Sequence, residues 1–393
     1  MSKTALRLAI TAFATFIALT SAPLQGQSFK VLYTFKGGND GAYPQADLTR
    51  DHNGTLYGTT SGGGKFSQGT VFKLDPDGKE KVLYAFPGFV YGAYPYSQLL
   101  LDKSGNLYGT TLSGGGQFAE LYGTVFKLEP SGKLTNLVVF SGFNGINPEA
   151  GLIQDPAGNF YGTTNEGGPH AEGTVFELTK TGHQRMLHGF SLAPDGALPD
   201  CRLVRDEEGN LYGTTSLGGG STDFGTVFKI DALGKETILY RFLGGAQGMH
   251  PETGLIRDQD GNLYGTTYGT AGLFPPFFYG TIFKLDPAGT HTLLYSFTGG
   301  LDGGSPSGGL VRDEAGNLYG ATRQGGSFKQ GTVFMLDPNG KLTTLHDFTG
   351  GADGSTPGAG LLLHEGRLYG TTSVGGSFNS GTVFRITLPG QDD

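Results

Sequence analysis

Seven times along the 393-residue chain, a Tyr-Gly-(Thr/Ala)-Thr string is followed by Gly-Thr-(Val/Ile)-Phe. The first string opens at Tyr57, Tyr108, Tyr161, Tyr212, Tyr264, Tyr319 and Tyr369, and successive copies stand 50 to 55 residues apart. The second opens at Gly69, Gly123, Gly173, Gly225, Gly280, Gly331 and Gly381. A unit of that size cannot bury its apolar surface alone and must stack on its neighbours, so the repeat constrains the fold before any single residue does.

Each copy holds four strand-like runs, here called A to D, which in the second copy span 98–102, 106–111, 123–128 and 137–140. Asp-x-x-Gly turns such as Asp102-Lys103-Ser104-Gly105 suit a tight A-to-B hairpin, and Asp75-Pro76-Asp77-Gly78 does the same from C to D. Composition points the same way. The 71 glycines weaken helix interiors, while 28 Phe and 18 Tyr are too many for a disordered tract.

The expectation is all-β: a seven-bladed β-propeller of four-stranded antiparallel blades. A D-type run at 31–35 precedes the first A strand, and the last copy stops after its C strand at 381–386. The N-terminal strand is therefore expected to join the last blade and close the ring.

Residues 1–26 read as a signal peptide, with Lys3 and Arg7, an apolar stretch at 8–19 and small residues up to a cut near Gly26. Residues 27–393 are then one propeller domain, secreted to the extracellular space or cell surface, with the periplasm as the alternative. No later run is long and apolar enough to span a bilayer as a helix. Cys201 is the only cysteine, so no internal disulfide forms, and a monomer is expected. A net charge of -8 argues against nucleic acid and anionic membranes as partners.

The string Gly-Asn-Leu-Tyr-Gly-Thr-Thr with the following Gly-Thr-Val-Phe-Lys-Leu-Asp-Pro resembles the GloVer tandem repeat of Gloeobacter and Verrucomicrobia type, across 29–386. The resemblance implies export, display at the cell surface and varied C-terminal anchors, of which Pro389-Gly390-Gln391-Asp392-Asp393 shows none. It implies no activity. Leu-Ile-x-Asp-x-x-Gly-Asn-Leu-Tyr is also similar to the A-to-B hairpin of NHL-type and gluconolactonase-type propellers, some of them metal-dependent lactonases.

Shared positions build the ring, so function is sought where the blades differ. The D-to-A and B-to-C loops share one rim. A proline recurs in every D-to-A loop, and the residue after it varies, giving Glu149, Asp200 and Glu252 on three consecutive blades, with Arg202 and His250 nearby. Such a cluster suits a polyhydroxyl ligand or a divalent cation such as calcium, though no cofactor is required, and a solvated acidic rim is the plain alternative. The fifth B-to-C loop, 268–279, carries Phe274, Phe277, Phe278 and Tyr279, which suit either a contact surface or a plug over the channel. His170, Glu172 and Asp223 are solvated loop residues in the simplest reading.

Gly62-Gly63-Gly64-Lys65 lacks the phosphate-loop spacing, and Gly269 stands where a calcium loop opened by Asp258 needs its glutamate. The eight histidines form no His-x-x-x-His or Cys-His pattern, so spacing offers no metal site. The residues favour a non-enzymatic module binding a carbohydrate or protein ligand on that rim. An extracytoplasmic hydrolase, lactonase or lyase using the acidic cluster is the alternative, and a structural envelope scaffold is the third.

Overall fold

The structure, a computed structural model, describes residues 27–116, 122–220, 223–269 and 278–390, so the leader reading at 1–26 lies outside the described residues. Seven antiparallel blades, each of A-B-C-D order, follow one another as a propeller around a central channel. In the first blade the strands are Thr49–Arg50, Leu56–Thr60, Thr70–Leu74 and Glu80–Ala85. In the seventh, Leu362–His364, Arg367–Thr372 and Thr382–Thr387 are completed by Ser28–Thr34 from the other end of the chain. That pairing sets Phe29 opposite Ile386, Val31 opposite Phe384 and Thr34 opposite Thr382.

Strand limits differ from the sequence expectation for local reasons. In the second blade strand A shrinks to Leu100–Leu101, and upstream of it the Ser97 hydroxyl accepts the Thr110 N–H at 2.9 Å. Strand D starts earlier, at Leu134, since the turn closed by the Glu129 N–H and the Lys133 carbonyl puts Leu134 opposite Leu128 at once. The seventh A-to-B turn drops the Asp-x-x-Gly form for a two-residue hairpin, with Glu365 and Gly366 both at positive φ.

Each residue of Tyr-Gly-Thr-Thr has a separate duty. In the first six blades the Tyr hydroxyl donates to the Asp of its own A-to-B turn at 2.9 to 3.3 Å. The Gly makes room for the Phe of strand C, whose ring tip would lie 2.5 to 2.8 Å from an added Cβ in all seven blades. In the first four blades the first Thr reaches the next blade, as from Thr214 Oγ1 to the Thr253 carbonyl at 3.1 Å. The second Thr bonds the Thr of Gly-Thr-Val-Phe at 2.7 to 2.9 Å in every blade.

Between blades the same Phe of strand C meets a Phe at the end of the preceding blade's strand D. Seven such pairs, from Phe35 with Phe72 to Phe348 with Phe384, stand edge to face at 5.1 to 5.4 Å. Each contributes about 1 kcal/mol beyond its buried area. Repetition around a closed ring gives cohesion without a cross-link, and Cys201 stays a buried free thiol.

Candidate functional site at the channel mouth

The recurring proline explains how the channel wall is presented. Each proline packs on the Gly of the preceding blade's Gly-Thr-Val-Phe, with its Cδ 2.5 to 2.8 Å from where a Cβ would sit. The chain then runs down the channel as an extended segment, and alternate side chains face inward. In the second blade Tyr96 and Gln98 face the channel while Ser97 and Leu99 are buried, and in the fourth Asp200 and Arg202 flank buried Cys201.

These segments enclose a cavity of about 1110 Å³. Glu149, Asp200, Arg202 and Glu252 line it together, along with Asp47, Gln98 and Arg323. Asp47 Oδ1 also accepts the Gly360 N–H at 2.6 Å, tying the first blade to the seventh.

Enclosure by the channel wall costs these charged groups hydration, although Arg202 and Glu252 keep exposed surface, and like charges add to the effect. Loss of hydration pushes the Asp200 carboxyl well above the usual range, Glu149 and Glu252 push it further, and Arg323 opposes them. Glu149 rises for the same first reason, then through Glu166 and Glu252. Glu252 also rises by desolvation, against Arg323 and His250. Asp47 is raised by burial despite the Gly360 N–H and Arg202, and Arg202 is lowered by burial against the pull of Asp47. The wall thus carries carboxyls raised above their usual range, with two guanidinium groups among them.

Two of its polar atoms lack partners within the protein. Arg323 Nε and Gln98 Oε1 are buried without a hydrogen bond, one a donor and the other an acceptor.

His250 is placed elsewhere. It precedes the fifth blade's proline, at a position where all seven residues, Tyr43 to Thr356, hold a left-handed backbone, and its Nδ1 lies 3.0 Å from the Ser216 carbonyl. It does not line the cavity. Phe274 and Phe277 lie outside the described residues. Tyr279 packs between the fifth and sixth blades beside Tyr264 and Phe297, and Phe278 is half-buried next to Gly245. His170 is exposed, Glu172 is half-buried, and Asp223 fastens its own loop by accepting the Gly218 N–H at 2.6 Å.

Asp47, Gln98 and Arg323 were not singled out from sequence. Asp47 and Gln98 stand three residues after their prolines, on the same face as the residue one after, so the period-two rule applied across the seven loops exposes them. Arg323 follows Tyr-Gly-Ala-Thr at a position filled in the other blades by Ser, Leu, Asn or Tyr. A lone charge there was the available signal.

Fold and channel together define a closed seven-bladed β-propeller with a polar, carboxyl-rich channel. The chain belongs to the Gloeobacter/Verrucomicrobia repeat family, whose model matches residues 15–224 and 219–392. No protein of curated function matches it. Among solved structures it is similar to the extracellular domain of a B. thetaiotaomicron protein assigned in one structure as a one-component system and in another as a hybrid two-component system. These share 9% and 10% identity at TM-scores of 0.59 and 0.61, each over 91% of this chain. This chain spans about two fifths of those structures, 40% and 39%, and the likeness shows the fold alone. A gluconolactonase from Xanthomonas campestris is more distant, at 16% identity and a TM-score of 0.45 over 76% of this chain and 87% of that one. No helix among the described residues is long and apolar enough to cross a membrane.

Proposed function

We propose that the protein is an extracytoplasmic binding module that takes a polyhydroxylated, carbohydrate-type ligand in the channel mouth, without turning it over. One observation carries the reading: carboxyls from the first, third, fourth and fifth blades converge with two arginines on one cavity, where Arg323 Nε and Gln98 Oε1 lack partners. Groups of both hydrogen-bonding kinds held on rigid strands match a ligand bearing many hydroxyls, each able to donate and accept. Tyr279 of the aromatic loop packs between blades, which turns the reading toward the channel rather than that loop.

A glycan array followed by calorimetry tests this. Replacing Glu149 and Glu252 by Gln together is expected to weaken glycan binding by about tenfold or more, as loss of charge-assisted bonds does, with an unchanged melting temperature. Unchanged affinity in that variant, or no glycan captured at all, overturns the reading.

One feature favours hydrolysis as a second reading. Burial, then the charge of Glu149, push the Asp200 carboxyl well above its usual range, and two carboxyls with unequal proton affinity are the arrangement general acid-base chemistry uses. Turnover of a lactone or glycoside that disappears in Asp200→Asn would decide for it.

A further inference from the structure

At the blade junctions three outer positions come together: the next-to-last residue of one strand D, a residue of the following D-to-A loop, and a residue at the start of the next strand D. Between the seventh and first blades they are Tyr33, Asp40 and Glu80, with the Tyr33 hydroxyl donating to Asp40 at 2.7 Å. Between the sixth and seventh they are His346, Asp353 and Phe29, where the Phe29 ring stacks on the imidazole at 3.6 Å. Only between the third and fourth do all three become metal-ligand types: His188, Asp195 and Glu236.

Among the described residues this is the one group of three or more His, Cys, Asp or Glu side chains whose ligand atoms all lie within 4.8 Å of one another. His188 Nε2 stands 3.1 Å from Asp195 Oδ2 and 3.9 Å from Glu236 Oε2. Ligands bound at about 2.0 to 2.2 Å around one metal are separated by about 3 to 4 Å, so little movement is needed. Asp195 is 9% exposed, and its Oδ1, like Glu236 Oε1, is shut off from solvent with no hydrogen-bond donor. Acceptors buried in this way call for a cation.

We propose that His188, Asp195 and Glu236 form a site for a first-row transition dication, Zn²⁺ as the test case, which clamps the third blade to the fourth. One imidazole with two carboxylates suits Zn²⁺ or Mn²⁺, whereas Ca²⁺ and Mg²⁺ favour oxygen alone. No spacing rule could find it, because its ligands come from two blades. The site is separate from the channel and does not depend on what binds there.

The test is zinc stoichiometry by titration calorimetry and elemental analysis on the chelator-treated protein, with melting temperature read alongside. Wild type is expected to bind one equivalent and to melt higher with Zn²⁺ but not with Ca²⁺ or Mg²⁺. His188→Tyr, which installs the residue found at position 33, is expected to lose that equivalent. Should it fail to fold, Glu236→Leu, which copies position 342, serves in its place. Tyr33→His is expected to gain a second equivalent, because Asp40 and Glu80 already face it. The Glu149→Gln, Glu252→Gln channel variant keeps its zinc. No zinc bound by wild type, or zinc retained by both His188→Tyr and Glu236→Leu, overturns the proposal.

Discussion

Pro44 and Gly381, from opposite ends of the chain, are in contact across the ring closure: a Cβ on Gly381 would lie 2.6 Å from Pro44 Cδ. It is the same contact that joins every other pair of neighbouring blades. The junction of the ends is therefore built like the six junctions along the chain.

Gly381→Ala places a Cβ against Pro44 and within 2.3 Å of the Thr372 carbonyl, at a backbone φ of +93°. A loss of about 3 kcal/mol or more is expected, combining left-handed strain with overpacking. Gly132→Ala is the control, since φ is +86° there with no neighbour within 4 Å, and only the strain, about 1 to 2 kcal/mol, remains. Urea midpoints of the two variants measure the difference, and equal losses would show that the closing contact adds nothing.

The paired threonines should behave as a unit. Thr111 Oγ1 lies 2.8 Å from Thr124 Oγ1 and donates to the Ser113 carbonyl at 3.0 Å. Thr111→Val and Thr124→Val should each cost about 1 to 2 kcal/mol by stranding a buried partner, and the double variant less than their sum. A double-mutant cycle reads the coupling, and strict additivity would deny it.

The junction of the seventh and first blades should make stability depend on pH. Burial, then the charge and hydrogen bond of Asp40, lift the Glu80 carboxyl from 4.5 to about 8, with Lys36 opposing. The folded protein holds this proton more tightly than the unfolded chain. The contribution is therefore complete below pH about 4.5 and is lost as pH rises through about 8. Glu80→Gln should melt higher than wild type above that range and equally below it, as scanning calorimetry at the two extremes would show.

Arg323 is the cation that opposes the rise of Asp200. In Arg323→Gln the Asp200 carboxyl should titrate at still higher pH, followed by carboxyl NMR, whereas Asp47→Asn should leave it in place. A shift of Asp200 in the second variant alone would reverse these roles.

Much of this fold was legible in the chain because it repeats. Seven copies of one pattern make strand order, blade number and the borrowed D strand readable, since chance would not repeat Tyr-Gly-(Thr/Ala)-Thr seven times. The prolines were visible, but not the glycines they rest on, for six of these lie about 25 residues earlier in another blade and the seventh, Gly381, at the far end of the chain. The site was half legible. Glu149, Asp200 and Glu252 emerged from comparing one loop position, while Arg323 reaches the cavity from a different loop. His250 was drawn in by adjacency in sequence, and its left-handed backbone directs it to the Ser216 carbonyl instead.

The borrowed strand also fixes an order of events. Synthesis releases Ser28–Thr34 long before Thr382–Thr387, the only strand with which it pairs. The first of these strands to be made is thus the last to find a partner. Removal of either end would therefore leave the seventh sheet a strand short.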